Sequence, residues 1–497
     1  MKMNKTIKIG LLSIAFAMTA SSCSDDFVER EFSQEVGQAP LTTLNEVDAF
    51  VKGGYVSLRS NTYYGADFLA YGEVRSDEMI SNLSGGYYQN VMNYTMLSND
   101  AYATNTYTQI YALIAKTNIL INTDMATIKG SDLDRQDARY AQGQAYALRA
   151  IGFFDAYRLY GQKYTGGTLG VVLPLKYDPK ALMPRATIAE TEAQIEADFT
   201  KALELMTANG SANTTVKTEL TINSVKGLAS RFYLFKGDYA KVRSFSNDII
   251  LSSKYSVPAA GSLQDSFRFS FNGAAPNSMF ELAVGLNASL STNSYRQRLN
   301  RNGYGNIVVN ASTLAAYADN DVRKNFIVTT SGERYLSTGA NAVGIGKYTQ
   351  GVGADNIKML RYEEILLNGI EAELNGGSPA KALNYYKQIL GNRLTDTYVM
   401  NADGTFKLDP EGDKILDKSV QQQLSLITAV NMPMLKAERM KELLGEGIRQ
   451  WDLRRWGDAV PRPASAKTDV NLNAFPIPRS ETDLANSPIV SNPGYDN

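Results

Sequence analysis

The segment DARYAQGQAYALRAIGFFDAYRLYG, residues 137–161, restricts the fold more tightly than any other stretch of the chain. Ala138, Ala141, Ala145, Leu148 and Gly152 recur at three- and four-residue steps and so share one face of a helix. Side chains this small let a second helix come close, and Phe153, Phe154, Tyr157 and Tyr160 add bulk where the stripe ends. Such a helix needs helical neighbours, and the sequence supplies them. Residues 106–125 place Ile110, Leu113, Ile114, Thr117 and Ile121 along one face. Residues 224–251 read as a helix with Leu228, Phe232 and Phe235 on one side, a break at Gly237–Asp238, and a second helix. Residues 361–390 repeat that build: Gly376–Gly377 ends the first helix, Ser378 caps the second, and Pro379 occupies its first turn, where a missing N–H costs nothing.

The expectation is a mainly α protein of tetratricopeptide-like helix pairs. The strict 34-residue repeat is absent, because long insertions at about 252–356 and 392–430, rich in Gly, Ser, Asn and Thr, separate the pairs. These predict irregular loops with a few short strands, and GVVLPL (170–175) predicts another short extended segment.

Composition removes whole classes of function. The 497 residues include no histidine and one cysteine, Cys23. Ser-His-Asp and Cys-His catalysis, histidine general bases, thiolate metal clusters and intramolecular disulfides are therefore excluded. A formal net charge of −1 gives no electrostatic case for nucleic acid. No cofactor motif is present: GGYYQN and GYGNIV contain glycines without phosphate-loop spacing. The acid-rich run 401–417 offers Asp403, Asp409 and Asp413 to calcium, but it does not fit an EF-hand loop and reads as a solvated turn, so no metal is expected.

Residues 1–22 have a basic start (Lys2, Lys5, Lys8), an apolar run from Ile9 to Ala20, and small residues at the end, the pattern of a secretory signal. Cys23 follows directly. Its position resembles a bacterial lipobox, with Ala20 where leucine is usual, and implies acylation of Cys23. Residues 23–45 would then be a lipid-anchored tether, and the acidic SDD after Cys23 resembles a tag for export to the cell surface.

Both tryptophans fall in ERMKELLGEGIRQWDLRRWG, residues 438–457. Glu438 and Glu442 are expected to pair with the nearby bases Lys436, Arg439 and Lys441. Trp451 and Trp456, flanked by arginines able to stack on them, read as packing anchors rather than a ligand shelf. This stretch closely resembles the C-terminal signature of the SusD/RagB family of outer-membrane lipoproteins. AYALRAIGFFDAYRLYG, LASRFYLFKGDYAKV and IKMLRYEEILLNGIEAEL match the family's helices in order, and NAFPIPRSETDLANSPIVSNPGYDN resembles its ending. The resemblance implies one body from 46 to 497, with an N-terminal helical part to about 251 and a SusD/RagB part from about 252. It also implies an outer-membrane protein facing the exterior that binds a glycan and delivers it to a SusC-like TonB-dependent transporter. Oligopeptide capture for a RagA-like transporter is the nearest alternative. A surface glycosidase using Asp77/Glu78 or Asp319/Asp321 is a more distant one, and a purely structural scaffold is a fourth.

Sugars lay their C–H faces on aromatic rings while polar side chains take the hydroxyls. Ten of the 29 tyrosines lie between Tyr55 and Tyr111. Tyr63, Tyr64, Tyr87, Tyr88 and Asn90 fall in Gly- and Asn-rich loops and are candidate ligand contacts. Tyr295, Arg296, Arg298 and Tyr304, in the polar insertion 292–306, form a second candidate group. Tyr107 and Tyr111 lie on a helical pattern and are expected in the core.

Overall fold

The computed structural model describes residues 39–210, 217–268, 275–339 and 344–495. The chain divides into two units, residues 1–41 and 42–497, and the account below concerns the second. The signal segment and Cys23 lie outside the described residues. Helix α1 (Leu44–Leu58) begins within the stretch expected to be tether. Thr43 fixes its start: the hydroxyl accepts from the Glu46 N–H while the Glu46 carboxylate accepts from the Thr43 N–H, a reciprocal cap.

After α2 (Asp67–Val74) and β1 (Met79–Ser81) come α3 (Ala101–Ile121) and the 29-residue α4 (Asp132–Tyr160). The small-residue face of α4 does what its sequence requires. A Cβ on Gly152 would stand 3.0 Å from the Ile114 side chain of α3, so that side chain packs directly on the α4 backbone there. Strands β2 (Leu169–Val172) and β3 (Arg185–Thr187) pair antiparallel before α5 (Ile188–Ala208), which packs on the other side of α4. A buried Arg149–Asp198 ion pair at 2.7 Å ties α4 to α5.

Helices α6 (Ile222–Lys236) and α7 (Tyr239–Leu251) form the next pair, turning at Gly237, whose φ of 89° favours glycine, with Asp238 capping α7. Phe154 of α4 meets Phe232 and Phe235 of α6 edge-on at 5.5 and 5.3 Å. The insertion then contributes β4 (Ser278–Leu282), β5 (Ile307–Val309), β6 (Val328–Thr330), β7 (Glu333–Tyr335) and β8 (Ile357–Arg361). β1 pairs with β5, β4 with β8 and β6 with β7, all antiparallel. Helices α8 (Tyr362–Leu374) and α9 (Pro379–Leu390) repeat the helix pair, with Ser378 accepting from the Lys381 N–H and Pro379 in the first turn. A short ribbon, β9 (Thr397–Tyr398) with β10 (Leu416–Lys418), precedes α10 (Met432–Leu443) and α11 (Arg449–Trp456). The architecture is mainly α, with helix pairs as scaffold and small two-stranded sheets in the insertions.

The charged C-terminal stretch departs from expectation in its pairing. Instead of mainly local partners, the buried Glu442 carboxylate accepts from Arg323 (2.9 Å), Arg361 (3.0 Å) and Arg393 (2.8 Å), all brought from distant segments. Arg439 turns to Asp452 at 2.8 Å and Lys436 to Asp458 at 2.7 Å; the local pairs are Glu438–Lys441 at 3.1 Å and Asp452–Arg455 at 2.8 Å. Interior position explains this, since a buried charge must find a partner wherever the core provides one. Trp451 is buried, and Trp456 donates its Nε1 to Glu371 at 2.9 Å with Arg455 stacked 4.7 Å from its ring. Both tryptophans are packing anchors. Between α10 and α11, Gly447 (φ 72°) passes so close to α2 that a Cβ on Gly72 would stand 2.2 Å from its carbonyl oxygen.

Candidate functional site

Strand pairing builds the site. Because β1 and β5 run antiparallel with Ser81 opposite Ile307, the loop leaving β1 and the loop entering β5 emerge at the same end. Asn82 seals that junction: its N–H donates to the Asn306 carbonyl at 2.9 Å, and its side-chain amide donates to the Gly305 carbonyl and to Glu333. The first loop turns back through Gly85 and Gly86, both at positive φ. It thereby delivers Tyr87 beside Tyr304 of the second loop, the ring centroids 5.0 Å apart and tilted 43°.

Arg298 completes the cluster. Its guanidinium carbon lies 4.0 Å from the Tyr87 ring centroid, 5.0 Å from that of Tyr304 and 5.8 Å from that of Tyr88. The residue is 6% exposed, and its Nε and Nη1 have no hydrogen-bond partner among the described residues. Tyr304, by contrast, is 42% exposed and Tyr87 half-buried, so an aromatic shelf faces solvent with a guanidinium set into its back. Hydrogen bonding with Arg298, and secondarily with Tyr304, lowers the pKa of the Tyr87 phenol. Burial opposes charge on Arg298, but Tyr88, Tyr87 and Asp67 outweigh it and raise its pKa. Burial lifts Asp67 to about 6, against the opposing hydrogen bond from the Tyr88 hydroxyl at 2.7 Å and the field of Arg298.

Three of the nine sequence candidates, Tyr87, Arg298 and Tyr304, therefore come together. The other six sit in structural surroundings away from this shelf's exposed face. Tyr63 and Tyr64 are buried against each other and Phe68; the Tyr63 hydroxyl donates to Asp155 and the Tyr64 hydroxyl accepts from Arg158. They brace α2 against α4. Tyr88 is fully buried and stacks on Tyr102 at 4.9 Å. Asn90 donates to Asp100, the cap of α3, and accepts from the Val91 N–H, which closes the loop. Tyr295 is buried edge-on to Tyr348, and the buried Arg296 donates to the Gly339 carbonyl.

Sequence reasoning missed the rim. Glu333 and Tyr335 come from the β6–β7 hairpin, with the Tyr335 hydroxyl on Glu333 and its ring against Gly305. The signal was available: Ser331–Gly332 is a turn between two β-prone runs. Tyr107 and Tyr111, expected in the core, also line a separate cleft of about 770 Å³ with Val172, Leu175, Tyr177 and Met183.

The carboxylates considered for hydrolysis are occupied. Asp77 is held by Arg449 at 2.7 and 2.8 Å, and Glu78 is fully buried. Asp321 pairs with Arg323 and Asp319 with Lys324. Asp403 and Asp409 accept backbone N–H groups within their own turns. Among the described residues, no helix is long and apolar enough to cross a membrane.

Five matches place the chain among known proteins. A family model described as SusD-like, starch-binding associating with outer membrane, matches residues 46–234, and the SusD family model SusD_RagB matches residues 328–474. The chain is 22% identical to SusD-like protein P38 of Formosa agariphila, over 91% of this chain and 90% of that one. Its fold is similar to the crystal structure of a SusD superfamily protein from Bacteroides thetaiotaomicron (TM-score 0.73, 22% identity, 91% of this chain and 100% of that one). It is also similar to surface glycan-binding protein A from Bacteroides fluxus (TM-score 0.67, 19% identity, 92% and 100%). With both family models matching in order across its helices and its C-terminal signature, the chain belongs to the SusD/RagB family.

Proposed function

We propose that this protein is a non-catalytic, cell-surface lipoprotein that captures glycan and delivers it to a SusC-like TonB-dependent transporter. One observation carries the reading: the exposed Tyr304 ring and the half-buried Tyr87 ring backed by Arg298. Two tilted rings offer apolar faces to sugar C–H groups, and the buried guanidinium stacked behind them holds both rings in place. Family membership and the name of the Bacteroides fluxus relative support a glycan as the ligand. In this reading the signal segment 1–22 is removed, Cys23 is acylated, and the body stands outside the outer membrane. Capture requires no chemistry, and the ion-paired state of the acids near Arg449 and Arg323 agrees with that.

The test is retention on immobilised polysaccharides, with product release measured in parallel. Tyr304→Ala and Tyr87→Ala should each weaken retention by about tenfold, as loss of an aromatic contact of roughly 1.5 kcal/mol implies. Unchanged retention in both variants, or new reducing ends, sinks the proposal. Peptide capture is the second reading, and the 770 Å³ cleft favours it, because its walls are largely apolar. Peptide mixtures belong in the same panel; retention that is lost with Tyr111→Ala or Tyr177→Ala, rather than with the shelf variants, would select it.

A further inference from the structure

A second concentration of positive charge lies where α11 ends. Arg454 donates Nη1 to the Asn473 carbonyl at 2.6 Å, while Arg462 donates Nη2 to the Asn473 side chain at 2.8 Å. Arg75 approaches from the early part of the chain, so that Tyr94 is held between two guanidiniums: Arg75 at 3.9 Å and Arg462 at 3.8 Å from its ring centroid. Elsewhere in this protein a buried arginine typically meets a carboxylate, as Arg149 meets Asp198 and Arg393 meets Glu363. Among the described residues Arg75 and Arg454 have no such partner. Arg75 is 1% and Arg454 8% exposed.

Hydrogen bonding is unbalanced in the same way. Among the described residues, Arg75 Nη2, Arg454 Nε and Nη2, and the hydroxyls of Tyr94 and Tyr164 are buried without a hydrogen-bond partner. All five can donate. Buried charge without a counter-charge is costly, and buried donors left without an acceptor are groups that an oxyanion relieves. Burial alone would raise the Tyr94 phenol, yet Arg454, Arg75 and Arg462 reverse the shift and draw its pKa below the usual range, a measure of the local positive field. Access exists: Tyr164, Arg454, Arg462 and Asn473 line a cleft of about 250 Å³. Its one lining acid, Asp458, is neutralised by Lys436 at 2.7 Å.

We propose that Arg454 and Arg462, in the cleft at Tyr164, bind an oxyanion, with Arg75 behind Tyr94 adding to the positive field: a carboxylate, or a sulfate or phosphate group, free or carried on a small molecule. The site shares no residue with the Tyr87–Arg298–Tyr304 shelf and does not depend on the glycan reading.

Calorimetric titration of the full chain, at matched ionic strength, tests it with sodium sulfate and sodium glucuronate against sodium chloride and glucose. Saturable one-site binding of sulfate is expected, with none of chloride or glucose. Glucuronate binding as well would assign the acid group of a larger ligand; sulfate alone would assign a compact free anion. Arg462→Gln, at the half-buried rim, should weaken binding on the order of tenfold or more, and Arg454→Gln at least as much. Tyr87→Ala should leave it unchanged. The proposal fails if neither oxyanion saturates, or if a correctly folded Arg462→Gln binds as tightly as the parent. It fails too if Tyr87→Ala abolishes the binding, which would assign the anion to Arg298.

Discussion

Glu442→Gln probes the interior more sharply than any other single substitution. The carboxylate accepts hydrogen bonds from Arg323, Arg361 and Arg393, and its side chain is 1% exposed. Those guanidiniums, together with Lys441 and Lys347, make five cations, and among the described residues they pair with four other carboxylates: Asp321 and Glu438 on Arg323, and Glu363 and Glu446 beyond them. Glutamine keeps the shape but removes the charge on which three cations converge, and its NH₂ group points a donor at other donors. Breaking one side of a buried ionic contact costs about 3–5 kcal/mol. At roughly 2.1 cal/mol/K of unfolding entropy per residue, the body carries on the order of 1 kcal/mol/K, so Tm should fall by about 3–5 °C. Differential scanning calorimetry reads this directly. Asp319→Asn is the control, since Asp319 is exposed and its contact to Lys324 lies in water; it should leave Tm where it is. A Glu442→Gln midpoint equal to that of the control would refute the claim that this network holds the late helices in place.

Stability should also fall as pH rises. Burial lifts Glu73 to about 7 and Asp355 to about 7, so the folded state binds protons more tightly than the unfolded chain between about pH 4.5 and 7. Stability is then fullest below the unfolded pKa and is lost as pH climbs through the folded one, by about 3 kcal/mol for Glu73; Glu73→Gln should flatten the decline of Tm over that window, and an equally steep slope would contradict the assignment. Gly72→Ala drives a methyl into the Gly447 carbonyl and should cost about 3 kcal/mol, visible as a lower urea midpoint; a neutral effect would mean that the α2–Gly447 contact is loose. Trp456→Phe keeps most of the packing but removes the Nε1–Glu371 hydrogen bond, for about 1.5 kcal/mol. A thermal midpoint identical to the parent's would show that Arg455 alone satisfies Glu371.

What the sequence disclosed was local. Gly237–Asp238 and Gly376–Ser378–Pro379 mark helix ends by backbone geometry that acts within a few residues, and the small-residue face of α4 announces its own close neighbour. The few short strands of the insertions were expected, but their pairing stayed hidden because the partners are remote, as Ser81 is opposite Ile307. The tyrosines show the same boundary. Tyr63 and Tyr304 both sit in polar, glycine-containing stretches, yet one is sealed against Asp155 and the other faces solvent. Loop composition does not say which side of a loop the core will take. Pairing in the acid–base stretch was likewise set by burial: Glu442 has bases nearby in sequence and is claimed by three arginines from elsewhere.

The contact between Glu73 and Gly447, at 2.6 Å, joins residues 374 positions apart, and Arg75 reaches the Leu472 carbonyl across 397. The opening helices thus have no finished interior until nearly the whole polypeptide has been synthesised. Ribosome-bound or truncated chains ending before residue 447 should expose the underside of α2 and clump, and dividing the gene into two expression halves will yield neither half in usable form.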